Sequence, residues 1–390
     1  MKDRTISNDI IYIGADDPDI DLFESQFEVP DGMCYNSYLI KDEKYVVMDT
    51  IDERATDKWL DNLKNALDGR NVDYLVVSHM EPDHAYNIDT LAKMYPEMKI
   101  IGNEKTFTLM NQFFGEINNI ENRKVVVKEG DEVNFGKHTL KFIMAPMVHW
   151  PEVMFAYDEY DKVLFSADGF GKFGVYDADE DDWTCEARRY YFNICGKYGP
   201  QVQAILKKAA ELDIKTICPL HGPILKENLG FYINKYDVWS KYEPEDEGIF
   251  IACASIHGNT KKAALEFKEM LEKGGTKKVS FADITRDDMH EAVEDAFRYD
   301  TLVLFASSYN MGVFPPMEHF LSHLVGKNYQ NRKVAIVENG SWAPSAGRCM
   351  KELLAKMKDI EVCEPVVTIK SRLNDDSRKA LEELASTLIK

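Results

Sequence analysis

The sequence predicts two consecutive domains, a first half of α/β or α+β class followed by an α/β half built as an open, doubly wound parallel sheet. Three observations lead there. At 390 residues with 45% hydrophobic content, the chain is long for one domain and can bury two cores. The tract Lys241-Tyr242-Glu243-Pro244-Glu245-Asp246-Glu247-Gly248 interrupts the periodic pattern with acidic residues, proline and glycine, as a linker does. On either side of it the rhythm differs. We therefore expect domains over 1–245 and 246–390.

Before the tract, short apolar runs alternate with longer amphipathic segments at 58–67, 88–94 and 183–211, the last interrupted by Gly196 and Gly199-Pro200. The mixture suggests two sheets with helices outside, although periodicity alone supports only α/β or α+β. After it, strand-like runs at 248–254, 278–282, 301–306, 333–337 and 362–367 alternate with helical patterns at 260–273, 287–297, 317–325, 345–357 and 377–389. Five strands alternating with five helices fit a doubly wound sheet.

Chemistry concentrates in Ser78-His79-Met80-Glu81-Pro82-Asp83-His84, which follows the apolar run Tyr74-Leu75-Val76-Val77. Four metal-competent side chains, His79, Glu81, Asp83 and His84, thus leave the end of an expected strand, where a scaffold holds them yet leaves them open to substrate. Imidazole mixed with carboxylate, without thiolate, favours iron, manganese or zinc over a structural zinc knot. The same placement recurs. His149 follows the run 142–145, Asp168 the run 163–167, and His221 the run 216–220. Any one of these could be a satisfied polar loop residue; their repeated delivery to one sheet rim is harder to attribute to accident. Asp49 ends the run 45–48 and is equally a turn residue or a partner to a metal ligand.

The pattern resembles the metallo-β-lactamase fold, whose metal loop usually reads H-x-H-x-D-H. Here Glu81 replaces the second histidine, and that departure resembles the flavodiiron proteins over essentially the whole chain. The resemblance implies an αββα sandwich followed by a flavodoxin-like domain. It also implies one iron held by His79, Glu81 and His149, a second by Asp83, His84 and His221, and Asp168 bridging the two. Three carboxylates against two ferrous ions leave about one positive charge for a bridging hydroxide. Hard oxygen donors favour redox iron over hydrolytic zinc.

In the second half, Ser255-Ile256-His257-Gly258-Asn259-Thr260 joins a strand-like run to a helical pattern, as a phosphate-wrapping turn does. A plain helix-capping loop fits that segment equally well. It has neither the P-loop ending nor G-x-G-x-x-G. Two further loops, Ser308-Tyr309-Asn310-Met311-Gly312 and Asn339-Gly340-Ser341-Trp342-Ala343, leave the third and fourth runs and would converge on the same crevice. Flavodoxin is similar, and the family resemblance implies FMN held by these three loops. The third loop departs from the commoner family form, in which Tyr-Gly precedes the tryptophan.

The resemblance implies an oxidoreductase reducing dioxygen to water, nitric oxide to nitrous oxide, or both. It also implies a head-to-tail homodimer, or a homotetramer built from it, that brings one chain's flavin to its partner's irons. Electrons would come from rubredoxin or a flavin reductase, since neither an NAD fingerprint nor a C-x-x-C pair occurs in the sequence. Tyr198 and Trp150 are candidates to surround the metals, or simply to pack the core. A zinc hydrolase carrying a flavodoxin-like docking module is the alternative, with Glu81 against it. The net charge of −20 disfavours nucleic acid and anionic membranes. Seven scattered cysteines and the absence of a long apolar run lead us to expect a cytoplasmic protein.

Overall fold

The computed structural model describes residues 3–389 except 116, 118 and 179–181. Its contacts divide the chain into two compact units, Met1–Tyr191 with Pro200–Asp237, and Phe192–Gly199 with Val238–Lys390.

The first unit holds two mixed sheets. Strands β1 (Ile10–Tyr12), β2 (Tyr38–Lys41), β3 (Tyr45–Met48), β4 (Tyr74–Val76), β5 (Lys99–Gly102) and β6 (Lys124–Val126) lie side by side in that order. The second sheet is β7 (Glu132–Asn134), β8 (Thr139–Met144), β9 (Met154–Asp158), β10 (Val163–Phe165) and β11 (Thr216–Cys218), also in chain order. The two sheets share one core. Val46, Met48, Val76 and Ile101 of the first pack with Phe142, Met154, Ala156 and Phe165 of the second. Flanking helices add apolar stripes, such as Trp59, Leu63 and Leu67 of the helix Thr56–Leu67. This is the metallo-β-lactamase-like sandwich.

Strand directions decide where chemistry can sit. β3 pairs parallel with β4 and β10 parallel with β11, while β8 and β10 both run antiparallel to β9 and therefore in the same sense. Asp49, His79, His149, Asp168 and His221 all follow the carboxyl ends of these strands. Two expectations are refined. Asp83 and His84 occupy a helical turn, Pro82–Ala85, with Pro82 in the first position, where the missing amide costs nothing. Gly199-Pro200 likewise opens the helix Gly199–Ala209 after a 3-10 turn, Gly196–Tyr198.

The second unit is a parallel sheet of β12 (Asp246–Ala254), β13 (Val279–Asp283), β14 (Tyr299–Tyr309), β15 (Gln330–Asn339) and β16 (Lys358–Val362), ordered β13-β12-β14-β15-β16. That 2-1-3-4-5 order is flavodoxin-like. The acidic tract 241–248 lies within this unit and runs into β12. The run at 362–367 is not one strand. Pro365, lacking an amide, interrupts it, and β17 (Val367–Ile369) resumes beside β15. The helices Asn259–Lys273 and Asp375–Leu388 bury Phe267, Leu271, Leu381 and Leu384 against β12 and β14.

Phe305 is fully buried, with its ring centroid 5.5 Å from that of Phe267. Phe305→Ala is expected to cost about 3–5 kcal/mol, measured by urea unfolding of the full chain; a loss below ~1 kcal/mol would contradict this core placement.

Candidate metal centre and flavin cavity

Six buried or nearly buried groups converge on the buried carboxylate of Asp168. Its Oδ2 lies 3.2 Å from His79 Nε2 and 3.3 Å from His149 Nε2, and Glu81 Oε2 stands 3.2 and 2.9 Å from the same two nitrogens. Its other oxygen, Oδ1, lies 3.2 Å from His84 Nε2 and 3.7 Å from His221 Nε2. Asp83 Oδ2 is 3.2 Å from each of those nitrogens, which are 3.0 Å apart. The donors thus form two groups, His79-Glu81-His149-Asp168 and Asp83-His84-His221. Each group faces a different oxygen of Asp168.

Cations fit this arrangement better than hydrogen bonds do. Both oxygens of Asp83, both of Asp168, and His149 Nε2 are buried without a hydrogen-bond partner among the described residues. Yet they sit about 3 Å from polar neighbours, so their lone pairs aim at common points rather than at each other's protons. Ligands bound at about 2.0–2.2 Å are spaced by about 3.0–3.5 Å around a metal, as these donors are.

The electrostatics agree. Burial alone would raise the pKa of Asp168, but the charge of His79 and the contacts of His149 and His84 hold it well below the carboxylate range. Burial would likewise deprotonate the imidazoles. Instead Asp83 and Asp168 raise His84 to about 10, and Asp168 with Glu81 raise His149 to about 9. Bound protons stand in for the cations this acidic cluster demands.

Fixed partners orient the candidate ligands. His79 Nδ1 pairs with Glu152 Oε1 at 2.8 Å, and Glu152 also accepts the Met80 amide at 2.9 Å. His221 Nδ1 donates to the Cys34 carbonyl at 2.7 Å, leaving Nε2 free to coordinate. Asn36 donates to the carbonyls of Pro219 and Gly222 on either side of His221. Asp49 Oδ1 accepts the Ser78 amide at 2.6 Å and so fastens the loop entering His79. Trp150 lies edge-on to His79 at 5.2 Å, whereas Tyr198 belongs to the second unit. Glu152 gave no sequence signal, being a lone glutamate in a turn. Cys34 acts through its backbone, which no residue pattern reveals.

In the second unit a cavity of about 670 Å³ opens at the carboxyl ends of β12, β14 and β15. Of the expected residues, Ile256, His257, Asn259, Thr260, Ser308, Tyr309, Asn310, Met311, Asn339, Gly340, Ser341, Trp342 and Ala343 line it. Ser255, Gly258 and Gly312 do not. Ser255 Oγ accepts the Gly258 amide to close the first turn, and the Gly312 carbonyl accepts the Ser345 hydroxyl. Ser307, Ser345 and Ser371 also line the cavity. Ser371 follows β17, and the misplaced fifth strand hid that loop. Asn339 ties the walls together, donating to Thr260 Oγ1 and the Ser371 carbonyl. Trp342 is 91% exposed at the rim.

Residues 33–222 match the family model described as the ODP family beta lactamase. A nitric oxide reductase of Moorella thermoacetica is 28% identical over 93% of this chain and 92% of its own. A flavo di-iron protein variant of Thermotoga maritima superposes with a TM-score of 0.86 at 26% identity, covering 97% and 95% of the two chains. Over nearly its whole length the chain is similar to flavodiiron proteins. The family's fold recurs in the rubredoxin oxygen:oxidoreductase of Desulfovibrio gigas, with TM-score 0.91, 24% identity, and coverage of 98% and 97%.

Removing the carboxylate behind a ligand histidine costs roughly 10–100-fold in metal affinity. Glu152→Gln is expected to weaken one of the two metals by that factor and leave the other in place, measured by chelator competition. Unchanged affinity for both would show that Glu152 does not orient His79.

Proposed function

We propose that this chain is an oxidoreductase that reduces dioxygen to water, nitric oxide to nitrous oxide, or both, at a di-iron centre supplied with electrons through FMN. The observation that supports it most is the division of Asp168 between two ligand groups, one of which contains Glu81 where a hydrolase would carry imidazole. Two ferrous ions and a reduced flavin together supply the four electrons dioxygen needs, or the two that a pair of nitric oxide molecules needs.

The chain's own residues do the positioning. His79, Glu81 and His149 would hold one iron, Asp83, His84 and His221 the other, and Asp168 both. Glu81, Asp83 and Asp168 bring negative charge that offsets the cost of oxidised iron in a buried site. Around His221 the rings of Phe23, Tyr35 and Tyr190, at 5.4, 5.9 and 5.5 Å, exclude water from that side. In the second unit the turn 255–260 precedes a fifteen-residue helix, whose first amides suit a phosphate. Trp342 and Tyr309 offer faces to a planar ring. We assign rubredoxin or a flavin reductase as the donor, and a head-to-tail homodimer, or a tetramer built from two such dimers, as the assembly that joins flavin to metal. We also place the protein in the cytoplasm. Among the described residues no two cysteines form a disulfide, and no helix is long and apolar enough to cross a membrane.

Iron-replete protein reduced anaerobically and mixed with each gas tests the activity. Gas consumption with flavin reoxidation is expected; zinc without iron, with phosphoester or lactam turnover, would overturn the reading. Asp168→Asn should lose more than the roughly 10–100-fold of an indirect partner while keeping its flavin, and unaltered turnover would refute the bridging role. Gly258 has φ +86°, which valine tolerates poorly. Gly258→Val should therefore lower FMN content, and full occupancy would remove that turn from the flavin site.

A further inference from the structure

A second kind of ligand set lies at the opposite end of the first unit. β1 runs in the same direction as β3, because both are antiparallel to β2. Asp9 precedes β1, His138 precedes β8, and Asp161 lies in the turn before β10. All three therefore sit at amino ends of strands whose direction carries the main site at the carboxyl ends.

Their donor atoms lie within 4.8 Å of one another. His138 Nε2 is 3.5 Å from Asp9 Oδ2, close to the edge of about 3.3–3.4 Å expected of a tetrahedron drawn around zinc at about 2.0–2.1 Å. The imidazole is fully buried, and its Nδ1 pairs at 3.1 Å with Asp158, a carboxylate equally buried. A neutral His138 donating Nδ1–H to Asp158 turns its Nε2 lone pair toward Asp9 and Asp161, the carboxylate–histidine arrangement that metals select. The turn itself is fixed. Asp42 Oδ2 accepts the His138 amide at 2.6 Å, and Asp158 Oδ2 accepts the Asp161 amide at 2.8 Å.

An independent observation points to a missing cation. Asp161 is half-buried, but its Oδ2 is shielded from solvent and has no hydrogen-bond partner among the described residues. A buried carboxylate oxygen left alone is costly. The Lys137 ammonium pairs with Asp9 and lies over the Tyr160 ring, 4.3 Å from its centroid. It neutralises Asp9, and no ion pair joins it to Asp161 among those described.

We infer that Asp9, His138 and Asp161 bind one divalent transition-metal cation, best matched by zinc, with water completing the coordination. The ion clamps the N-terminal strand to two turns of the second sheet. It does no redox work and is separate from the di-metal centre, as a structural metal that joins distant segments would be.

Iron-loaded full-length protein titrated with zinc chloride, desalted and assayed for both metals tests this. The wild type should hold three metals per chain, and Asp161→Asn and Asp9→Asn two, with zinc affinity lowered at least tenfold. Zinc should raise the thermal midpoint of the wild type and not of those variants. Lys137→Ala is the sharper comparison. It removes the cation that competes for Asp9, so zinc should bind more tightly, whereas a purely ionic cluster would only lose stability. A total of two metals in the wild type, equal totals in wild type and Asp161→Asn, or weaker zinc binding by Lys137→Ala would each overturn the assignment.

Discussion

The structure of the first unit depends on an electrostatic constraint: a carboxylate with 1% exposure, Asp168, surrounded by four imidazoles and two further carboxylates. Burying that many ionisable groups without cations is unfavourable, because desolvation outweighs pairwise attraction unless every lone pair is met. Here several are not. The site is stable as a whole only when positive charge occupies the points its lone pairs share, so metal binding and local folding become one equilibrium. The parallel pairings β3–β4 and β10–β11 serve it by bringing carboxyl ends to one rim. Backbone bonds to Glu152, Asn36 and Asp49 then hold the loops against the repulsion they concentrate.

The second unit solves a milder version of the same problem. Its cavity is walled by hydroxyls, amides and apolar rings rather than charges, and Asn339 and Ser308 link neighbouring loops. Ser308 Oγ accepts the amides of Ser345 and Ala346 at the start of the helix Ala346–Leu354. A neutral, preformed recess suits a flavin, whose phosphate needs backbone amides and whose ring needs flat faces.

Legibility in the sequence varied with the kind of residue. His79, Glu81, Asp83 and His84 were visible because four donors crowd one strand end, and His149, Asp168 and His221 because each repeats that placement. Glu152 was not visible. A carboxylate that acts by accepting from His79 Nδ1 looks like any other until the two are seen 2.8 Å apart. Ser371 was missed for a local reason, since one interruption at Pro365 moved the last strand end and the loop with it. Asp49 was placed near the site without a named partner, because a carboxylate meets a backbone amide as readily as an imidazole, and only the fold shows that it accepts the Ser78 amide.

What the amino-acid order alone determined is the inventory and its rhythm. Apolar runs set the strands, since alternation and length are local properties, and donor type favours iron, manganese or zinc over a thiolate-bound structural metal, since ligand chemistry does not depend on distance. What only the tertiary structure decided is pairing. Which oxygen of Asp168 faces which histidines, which carboxylate backs His79, and how Asp9 meets His138 across well over a hundred residues all follow from sheet direction and register. Those are long-range, and no window of sequence contains them.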